Sequence, residues 1–524
     1  MNSCSALPSA DVPLSERAIR LHPEDNIAIA KVDLATGLYL LVDSPGKDSS
    51  SNRIAMRQPI PSGHKVAIQE IAVGGPVRRY GQVIGFAARP IVTGEHVHTH
   101  NLSAPLFDRA YEIGVDAQPI ALVPEHDRRT FLGYARPFGR AGTRNMVAVI
   151  SSVNCSAHAT RQIARHWTPE RLAPYPNVDG VIAITHHSGC SIRIGGEEHR
   201  MLQRTLAGMA RHPNVGGYLM VGLGCEVNQI DDLMASQNLG EGTALIIQDR
   251  GGVLKTIQAG IAAVEQMLPA VNAVGRTPQP LSEWMVALQC GGSDSWSGVT
   301  SNPLLGLLAD EVVRQGGTVV LGETPEIYGA EQLLLRRAAS AKVGQKLIDR
   351  VRWWEVYAEK HGVEIDNNPT PGNKAGGLTT IYEKSLGAIA KGGCTPLTDV
   401  YHYAERVTAR GFTFMDTPGN DWVGVTGQVA GGCTLVVFST GRGSAFGFKP
   451  APSIKVASNS TLYRRMEDDM DLNAGRVLEG ENIEDLAAEL VDLAVAVASG
   501  KPSKSEALGI GEDEFCPWAL GGLL

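Results

Sequence analysis

The stretch Trp284-Met-Val-Ala-Leu-Gln-Cys-Gly-Gly-Ser-Asp-Ser-Trp-Ser-Gly-Val-Thr-Ser-Asn-Pro-Leu-Leu-Gly-Leu-Leu-Ala-Asp-Glu-Val-Val-Arg-Gln-Gly-Gly-Thr-Val-Val-Leu321 decides the fold. Residues 284–288 are a short apolar run, 304–315 follow a helical pattern, and 318–321 are a second, β-branched run. Strand, helix and strand in so few residues make the repeating unit of a parallel sheet, whose strands are covered on both faces and so show no polar alternation. The texture extends outward. Upstream, 146–151 precedes a helical pattern at 156–167, 180–184 precedes 197–209, 218–222 follows, and 244–247 precedes 254–267. Downstream, one long helix is expected from about 330 to 360, and further apolar runs stand at 412–414 and 435–438. In such sheets ligands bind outside the carboxyl ends of the strands.

Residues 18–102 differ. Short apolar runs at 27–30, 39–42, 66–68 and 83–86 are separated by Pro-Gly, Ser-Gly and Gly-Gly turns without helical period, which predicts a small all-β module. Three prolines and scattered charges between 103 and 128 read as an extended linker. The expectation is therefore a multidomain chain. An all-β N-terminal module covers 15–102, a linker 103–130, a first α/β lobe 131–275, and a second α/β lobe with a mainly parallel, Rossmann-like sheet 276–524.

Composition narrows the function. Of 524 residues, 43% are hydrophobic and 19% charged, which fits a folded globular protein. A net charge of −8 argues against a nucleic-acid partner, which selects a basic face. No run of 18 apolar residues offers a membrane span, and residues 1–11 lack a basic start and a greasy core. Eight cysteines are too sparse for a disulfide scaffold, so a cytoplasmic, reduced protein is expected.

Four of those cysteines occupy one kind of position. Cys155, Cys190, Cys225 and Cys290 each lie just past the carboxyl end of a different strand, whereas core cysteines would be scattered relative to element ends. Glycines adjoin all but Cys155, letting backbone amides approach a bound anion. No CxxC spacing occurs, so a zinc ribbon is excluded, and ligands drawn from separate strands are the layout of a catalytic site with an open position. Thiolates favour iron, an iron–sulfur cluster or zinc.

Other polar groups stand at the same rim. Glu323 and Glu326 follow 318–321, Asp416 and Asn420 follow 412–414, Arg442 lies in a Gly-rich turn after 435–438, and Asn373-Lys374 lies in a Gly-punctuated loop. An arginine and a lysine beside amide-rich turns suit a carboxylate ligand, so a small polyhydroxy acid fits better than a nucleotide. The run 441–447 has the wrong spacing for a dinucleotide loop and is followed by helix-breaking Phe448-Lys-Pro-Ala-Pro-Ser. In the β-module, Gly63-His64-Lys65 sits in a turn, and alternation would place His96, His98 and His100 on one strand face. Those imidazoles read equally as metal ligands or as a polar edge strand.

Several motifs carry a resemblance. Gly63-His-Lys65 with His96-Val-His-Thr-His100 resembles the SAF (β-clip) module of the altronate dehydratases. Ser188-Gly-Cys190, Gly222-Leu-Gly-Cys-Glu226, Cys290-Gly-Gly-Ser-Asp294, Ser297-Gly-Val-Thr-Ser-Asn-Pro303, Pro371-Gly-Asn-Lys374 and Ser439-Thr-Gly-Arg-Gly443 resemble the altronate/galactarate dehydratase family, in order and along the whole chain. The histidine run and Gly329-Ala-Glu-Gln-Leu333 look more like the altronate branch.

The resemblance implies a hydro-lyase that converts an aldonate such as D-altronate to a 2-keto-3-deoxy acid, activated by Fe2+ or Mn2+. The strand-end cysteines leave an iron–sulfur cluster as the alternative. It further implies His186 in proton transfer, with His64 and Lys65 closing over the substrate. Asn373, Lys374, Arg442, Ser293 and Asp294 are expected to bind substrate, and Cys155, Cys190, Cys225, Cys290 and His98 to bind metal. A homodimer is expected. Galactarate dehydration is the nearest alternative, followed by a nicotinamide-dependent sugar-acid dehydrogenase or a non-catalytic carbohydrate-binding protein.

Overall fold

The computed structural model describes residues 11–42, 53–105, 111–137, 139–240 and 242–520. Cys4 and most of residues 1–11 lie outside them. The N-terminal module is built from short strands, as its turn-rich sequence predicts. Ala18–Ile19, Ile27–Ala30, Lys65–Ala67 and His96–Val97 form a four-stranded antiparallel sheet. Pro76–Arg79, Gln82–Ala87 and Leu102–Ser103 form a three-stranded one. Ala28, Leu40, Ile54, Ile60 and Val66 fill its centre. The strand carrying His96 ends at Val97, and His98 to His100 belong to a turn closed by Asn101 N–H on the His98 carbonyl (3.0 Å). The expected three-histidine strand face is thus a strand end plus a turn, because Asn101 caps the chain reversal: its Oδ1 accepts from the His98 amide (2.9 Å).

The linker residues described lie along the second lobe, held by Gly114 N–H on the Leu335 carbonyl (2.9 Å) and Val123 N–H on the Arg314 carbonyl (2.8 Å). A ribbon of Thr130–Tyr134 paired antiparallel with Arg276–Pro280 then closes the start of the first lobe onto its end.

The first lobe is a parallel sheet in the order Gly180–Ile184, Met146–Ser151, Val215–Gly222, Thr243–Ile246. The second is a seven-stranded, all-parallel sheet: Leu397–Tyr401, Gly411–Met415, Thr318–Leu321, Met285–Cys290, Leu435–Thr440, Ser453–Ala457, Leu472–Asn473. Successive side chains of the deciding strand serve two cores, as a period of two requires. Val286 and Leu288 pack with Leu304, Leu308 and Leu490, while Met285 and Ala287 face a core shared with Ala148, Ile150 and Leu206 of the first lobe. The lobes meet where helix Glu197–Ala210 crosses helix Asp421–Ala430. A Cβ on Gly208 would stand 2.2 Å from the Ala430 carbonyl oxygen, so only glycine permits this approach.

The helix expected over 330–360 is two helices, Glu331–Arg336 and Ala341–His361. Ser340 starts the second, its Oγ accepting from the Val343 amide (3.3 Å), and the chain between them bends to bring the Ala339 amide onto the Leu397 carbonyl (2.8 Å).

In the seven-stranded sheet the chain runs from Met285–Cys290 to one side and later crosses to Leu435–Thr440 on the other. The carboxyl ends of these two neighbours frame the crevice where a parallel sheet exposes its ligand site. Among the described residues no helix is long and apolar enough to cross a membrane.

Candidate active site

Cys290 is the last residue of its strand and is buried at that crevice. Its sulfur lies 3.4 Å from Glu323 Oε2 and 3.6 Å from Glu326 Oε2. Both carboxylates come from the turn after Thr318–Leu321, where Glu323 holds a left-handed backbone (φ 66°) with its amide bonded to Thr417 Oγ1 (2.7 Å). A non-glycine residue kept there stores strain of the kind found at functional sites. Two lysines neutralise the pair. Lys391 Nζ is 2.6 Å from Cys290 Sγ and 2.8 Å from Glu323 Oε2, and Lys384 Nζ is 2.7 Å from Glu326 Oε1 and 2.8 Å from Asn368 Oδ1. Glu323 Oε1 is buried without a hydrogen-bond partner.

The electrostatics divide these groups. Burial, reinforced by Glu323, pushes the Cys290 thiol far up. Burial alone would lower Lys391, but Cys290 and the two carboxylates hold its ammonium well above the usual range. Burial and Glu326 raise Glu323, whereas Lys384 and Lys391 outweigh burial and lower Glu326. Asp421, which opens helix Asp421–Ala430, is pushed up to about 7 by burial and by Glu323 and Glu326. A Cβ on Gly291 would stand 2.2 Å from Asp421 Oδ2, and one on Gly292 would stand 3.5 Å from Arg442 Cβ. Asp421 and Arg442 therefore flank the two glycines that follow Cys290.

The residues expected to bind substrate separate into rim and support. A groove of about 570 Å³ between the β-module and the second lobe is lined by Lys31, Ser62, Asp294, Trp296, Arg442 and Asn459, among others. Arg442 is exposed on it. Asp294 is buried and accepts bonds from Ser297 N (2.8 Å), Ser297 Oγ (2.9 Å), Ser458 Oγ (2.8 Å) and Asn459 Nδ2 (3.0 Å), so its carboxylate organises the groove floor. Asn373 closes the capping box of helix Pro371–Ala375 and donates to the Ser293 carbonyl (2.7 Å), which fixes that loop to the Cys290 loop. Lys374 is half-buried, its carbonyl 3.0 Å from His98 Nε2.

The β-module docks here. Lys65, fully buried, donates to the Gly377 carbonyl (2.6 Å) and to both oxygens of Glu383 (2.9 Å each). Arg79 bonds the same carboxylate, the Ser295 hydroxyl (2.9 Å) and the Ser295 carbonyl (2.7 Å). Lys65, expected to face the substrate, is instead an anchor with its donors engaged. Burial brings it down to about 8 against the pull of Glu383, while Lys65 and Arg79 overcome burial and hold Glu383 at about 2. His64 pairs through Nδ1 with His96 Nε2 (3.0 Å) and points Nε2 at the Ala375 carbonyl (3.4 Å). His98, expected as a metal ligand, has Nε2 on the Lys374 carbonyl and Nδ1 3.1 Å from Thr99 Oγ1, leaving neither nitrogen free. Burial and neighbouring imidazoles take His96 down to about 3, and burial and Lys65 take His98 to about 4, so both are neutral.

The four strand-end cysteines do not share one sheet. Cys155, Cys190 and Cys225 follow strands of the first lobe, while Cys290 ends a strand of the second. The sequence shows strand ends but not which strands pair, hence the difference. His186 is buried with Nε2 on the Ser151 carbonyl (3.0 Å) and Nδ1 accepting from the Ser188 amide (3.1 Å). Burial lowers it to about 4, and with both nitrogens engaged it fixes its loop as a neutral tautomer. Lys384, Lys391, Glu383 and Asp421 escape the sequence reading. For the first three the signal is charge inside a small and apolar run, Ile381-Tyr-Glu-Lys-Ser-Leu-Gly-Ala-Ile-Ala-Lys391, where an unpaired charge would not be tolerated.

Among the described residues, Cys290, Glu323 and Glu326 form the group whose ligand atoms all lie within 4.8 Å of one another. One thiolate and two carboxylates are compatible with a metal ion, and the unpartnered Glu323 Oε1 leaves a donor open for one.

Comparison with known proteins covers almost the whole chain. Residues 16–105 match the family described as Altronate/galactarate dehydratase SAF domain, 133–272 the D-galactarate dehydratase/Altronate hydrolase second domain, and 281–522 the D-galactarate/Altronate dehydratase C-terminal domain. An altronate dehydratase of Bacillus subtilis (strain 168) is 36% identical over 490 residues, 92% of this chain and 95% of that protein. An altronate dehydratase of Escherichia coli (strain K12) is 37% identical over 494 residues, covering 93% and 96%. A galactarate dehydratase (L-threo-forming) of the same organism is 35% identical over 493 residues, covering 92% and 93%.

Proposed function

Because the chain belongs to the altronate/galactarate dehydratase family, we propose that it is a hydro-lyase that removes water from a sugar acid such as D-altronate to give a 2-keto-3-deoxy acid. The observation that carries the mechanism is the placement of Asp421 beside Gly291 and of Arg442 beside Gly292, in the turn that follows Cys290. The reaction removes the weakly acidic proton on C2, beside the carboxylate, and expels the C3 hydroxyl as water; the resulting enol becomes the keto acid. Arg442, with Lys374, binds the substrate carboxylate by charge-assisted bonds. Asp421, close to neutral pKa, takes the C2 proton. The ammonium groups of Lys384 and Lys391 behind it provide positive potential for the enediolate charge. His64, reaching the second lobe at Ala375, and the docked β-module shield the groove from water.

Cys290, Glu323 and Glu326 would hold Fe2+ or Mn2+, with Lys391 giving way to the ion. Bound there, the metal would act as a Lewis acid toward substrate oxygens. The reading extends to a chain of four segments, 15–102, 103–130, 131–275 and 276–524, to a cytoplasmic location, and to a homodimer, which sedimentation tests.

The test is turnover. Protein prepared without oxygen and supplied with Fe2+ or Mn2+ is incubated with a panel of aldonates and aldarates. The expected result is stoichiometric 2-keto acid from one of them, with no change in nicotinamide absorbance. Binding without consumption, or a nicotinamide signal, overturns the proposal; an aldarate as the preferred substrate moves it to the galactarate branch.

A further inference from the structure

The first lobe carries a second thiol site that the proposed dehydration does not use. Three of its loops each contribute one cysteine and are stitched into a closed ring. The Asn154 amide, next to Cys155, donates to the Ser188 carbonyl (3.0 Å) in the loop of Cys190. The Asn228 amide, in the loop of Cys225, donates to the Gly189 carbonyl (3.1 Å), beside Cys190. The ring closes through Ser152 Oγ on Glu226 Oε1 (2.7 Å) and Asn228 Nδ2 on the Ser152 carbonyl (2.9 Å). Glu226 also accepts from the amides of Leu223 (3.1 Å) and Gly224 (2.6 Å), which fixes the turn that presents Cys225.

The thiols are unlike the buried ones elsewhere. Cys155 and Cys225 are exposed and Cys190 is half-buried, whereas Cys290 and Cys433 are buried, and all are free. The Val227 amide donates to the Cys190 sulfur, and Cys155 and Cys225 lie near enough to interact with it. Ser188 Oγ and Asn228 Oδ1, on two of the loops, are buried without hydrogen-bond partners. The three sulfurs do not all lie within 4.8 Å of one another. Thiolates sharing one tetrahedral ion at about 2.3 Å would be ~3.8 Å apart. One thiolate from each of three joined loops suits a larger body, in which each iron takes one thiolate.

We propose that Cys155, Cys190 and Cys225 ligate an iron–sulfur cluster in the first lobe, one that Cys290 does not join. With three protein thiolates, one iron of the cluster is left open to solvent or to an oxygen ligand. The site stands on the first lobe alone and does not depend on which sugar acid is the substrate.

The test reads the cluster itself. Full-length protein is isolated without oxygen and reconstituted with ferrous iron, sulfide and a thiol reductant. The expected result is about four acid-labile sulfides per chain with about four irons beyond the one the Cys290 group would take, a broad visible absorption, and a paramagnetic signal on reduction. Cys155→Ser, Cys190→Ser and Cys225→Ser should each reduce the acid-labile sulfide, the absorption and the paramagnetic signal to background while circular dichroism stays unchanged. Cys290→Ser should retain them. Undiminished cluster in Cys190→Ser and Cys225→Ser, loss only in Cys290→Ser, or iron bound without any acid-labile sulfide each overturns the assignment.

Discussion

Asp421 gains its place in the chemistry from its neighbours rather than from its own sequence context. The loss of water, with two buried carboxylates beside it, lifts it to about 7 in the metal-free site, within the range of a general base. The prediction for Asp421→Asn is a fall of about 10²–10⁴-fold in kcat and loss of the limb of the kcat/KM profile that rises with pH. A mutant that keeps that limb reassigns the base. Lys391 makes a second case. Its removal as Lys391→Met leaves Glu323 buried and unpaired, which is expected to cost about 3–5 kcal/mol, read as a lowered Tm. Added Mn2+ should restore more of that Tm than it adds to the unaltered protein, because the ion replaces the missing charge; equal shifts would remove the metal from this position. Cys290, Glu323 and Glu326 are legible in the sequence because they follow apolar strands. Lys384 and Lys391 are legible only as charge in an apolar run, since a lysine on a helix is ordinarily a solvated one, and it is the fold that shows them turned inward. His186 misleads for the opposite reason: a histidine in a strand-end motif looks chemical, yet a loop needs its hydrogen bonds as much as a reaction needs its proton.

At the scale of elements, the parallel strands are readable because their apolar runs are continuous, and the β-module because its turns are. Pairing order is not, and it is pairing that parts Cys290 from the other three cysteines. The split of the long helix at Ser340 has a local signal, an N-cap residue inside a helical period, which periodicity alone overrides. The docking of the module onto helix Ile381–Ile389 has no sequence signal, being a contact between residues more than 300 positions apart. It is nevertheless testable. Glu383→Gln leaves Lys65 and Arg79 buried against a neutral amide and should destabilise docking by about 3–5 kcal/mol, seen as faster proteolysis of the linker and faster amide exchange in the module. Lys65→Met, which keeps the Arg79–Glu383 pair, should cost less. The folded pKa of Glu383 is depressed from 4.5 to about 2, so its stabilisation is complete above pH 4.5 and disappears as pH falls toward 2. Acid release of the module should therefore lose its dependence over that interval in Glu383→Gln.

Across the whole molecule, the candidate groove is a joint product of two units that are distant in sequence. Lys31 and Ser62 come from the β-module, Arg442, Asp294 and Asn459 from the second lobe, and the buried Lys65–Glu383–Arg79 cluster holds the two together. The module also shares a hydrophobic core with the second lobe, since Val77 and Ile84 belong to the cluster of Leu304 and Leu386. A chain lacking residues 1–102 would keep the parallel sheets, their helices and the Cys290 group, but would open the groove on one side and expose Glu383 to water. The expected outcome is a protein with near-native secondary structure by circular dichroism whose turnover of the preferred sugar acid is abolished, because water reaches the site and the wall bearing Lys31 and Ser62 is gone. Supplying residues 11–105 as a separate polypeptide should restore part of the activity, with a concentration dependence set by the docking affinity, and Glu383→Gln in the larger fragment should weaken that rescue. Dehydration by the truncated chain at the full-length rate would show that the module stabilises the fold without closing the site, and the role assigned to His64 would fall with it.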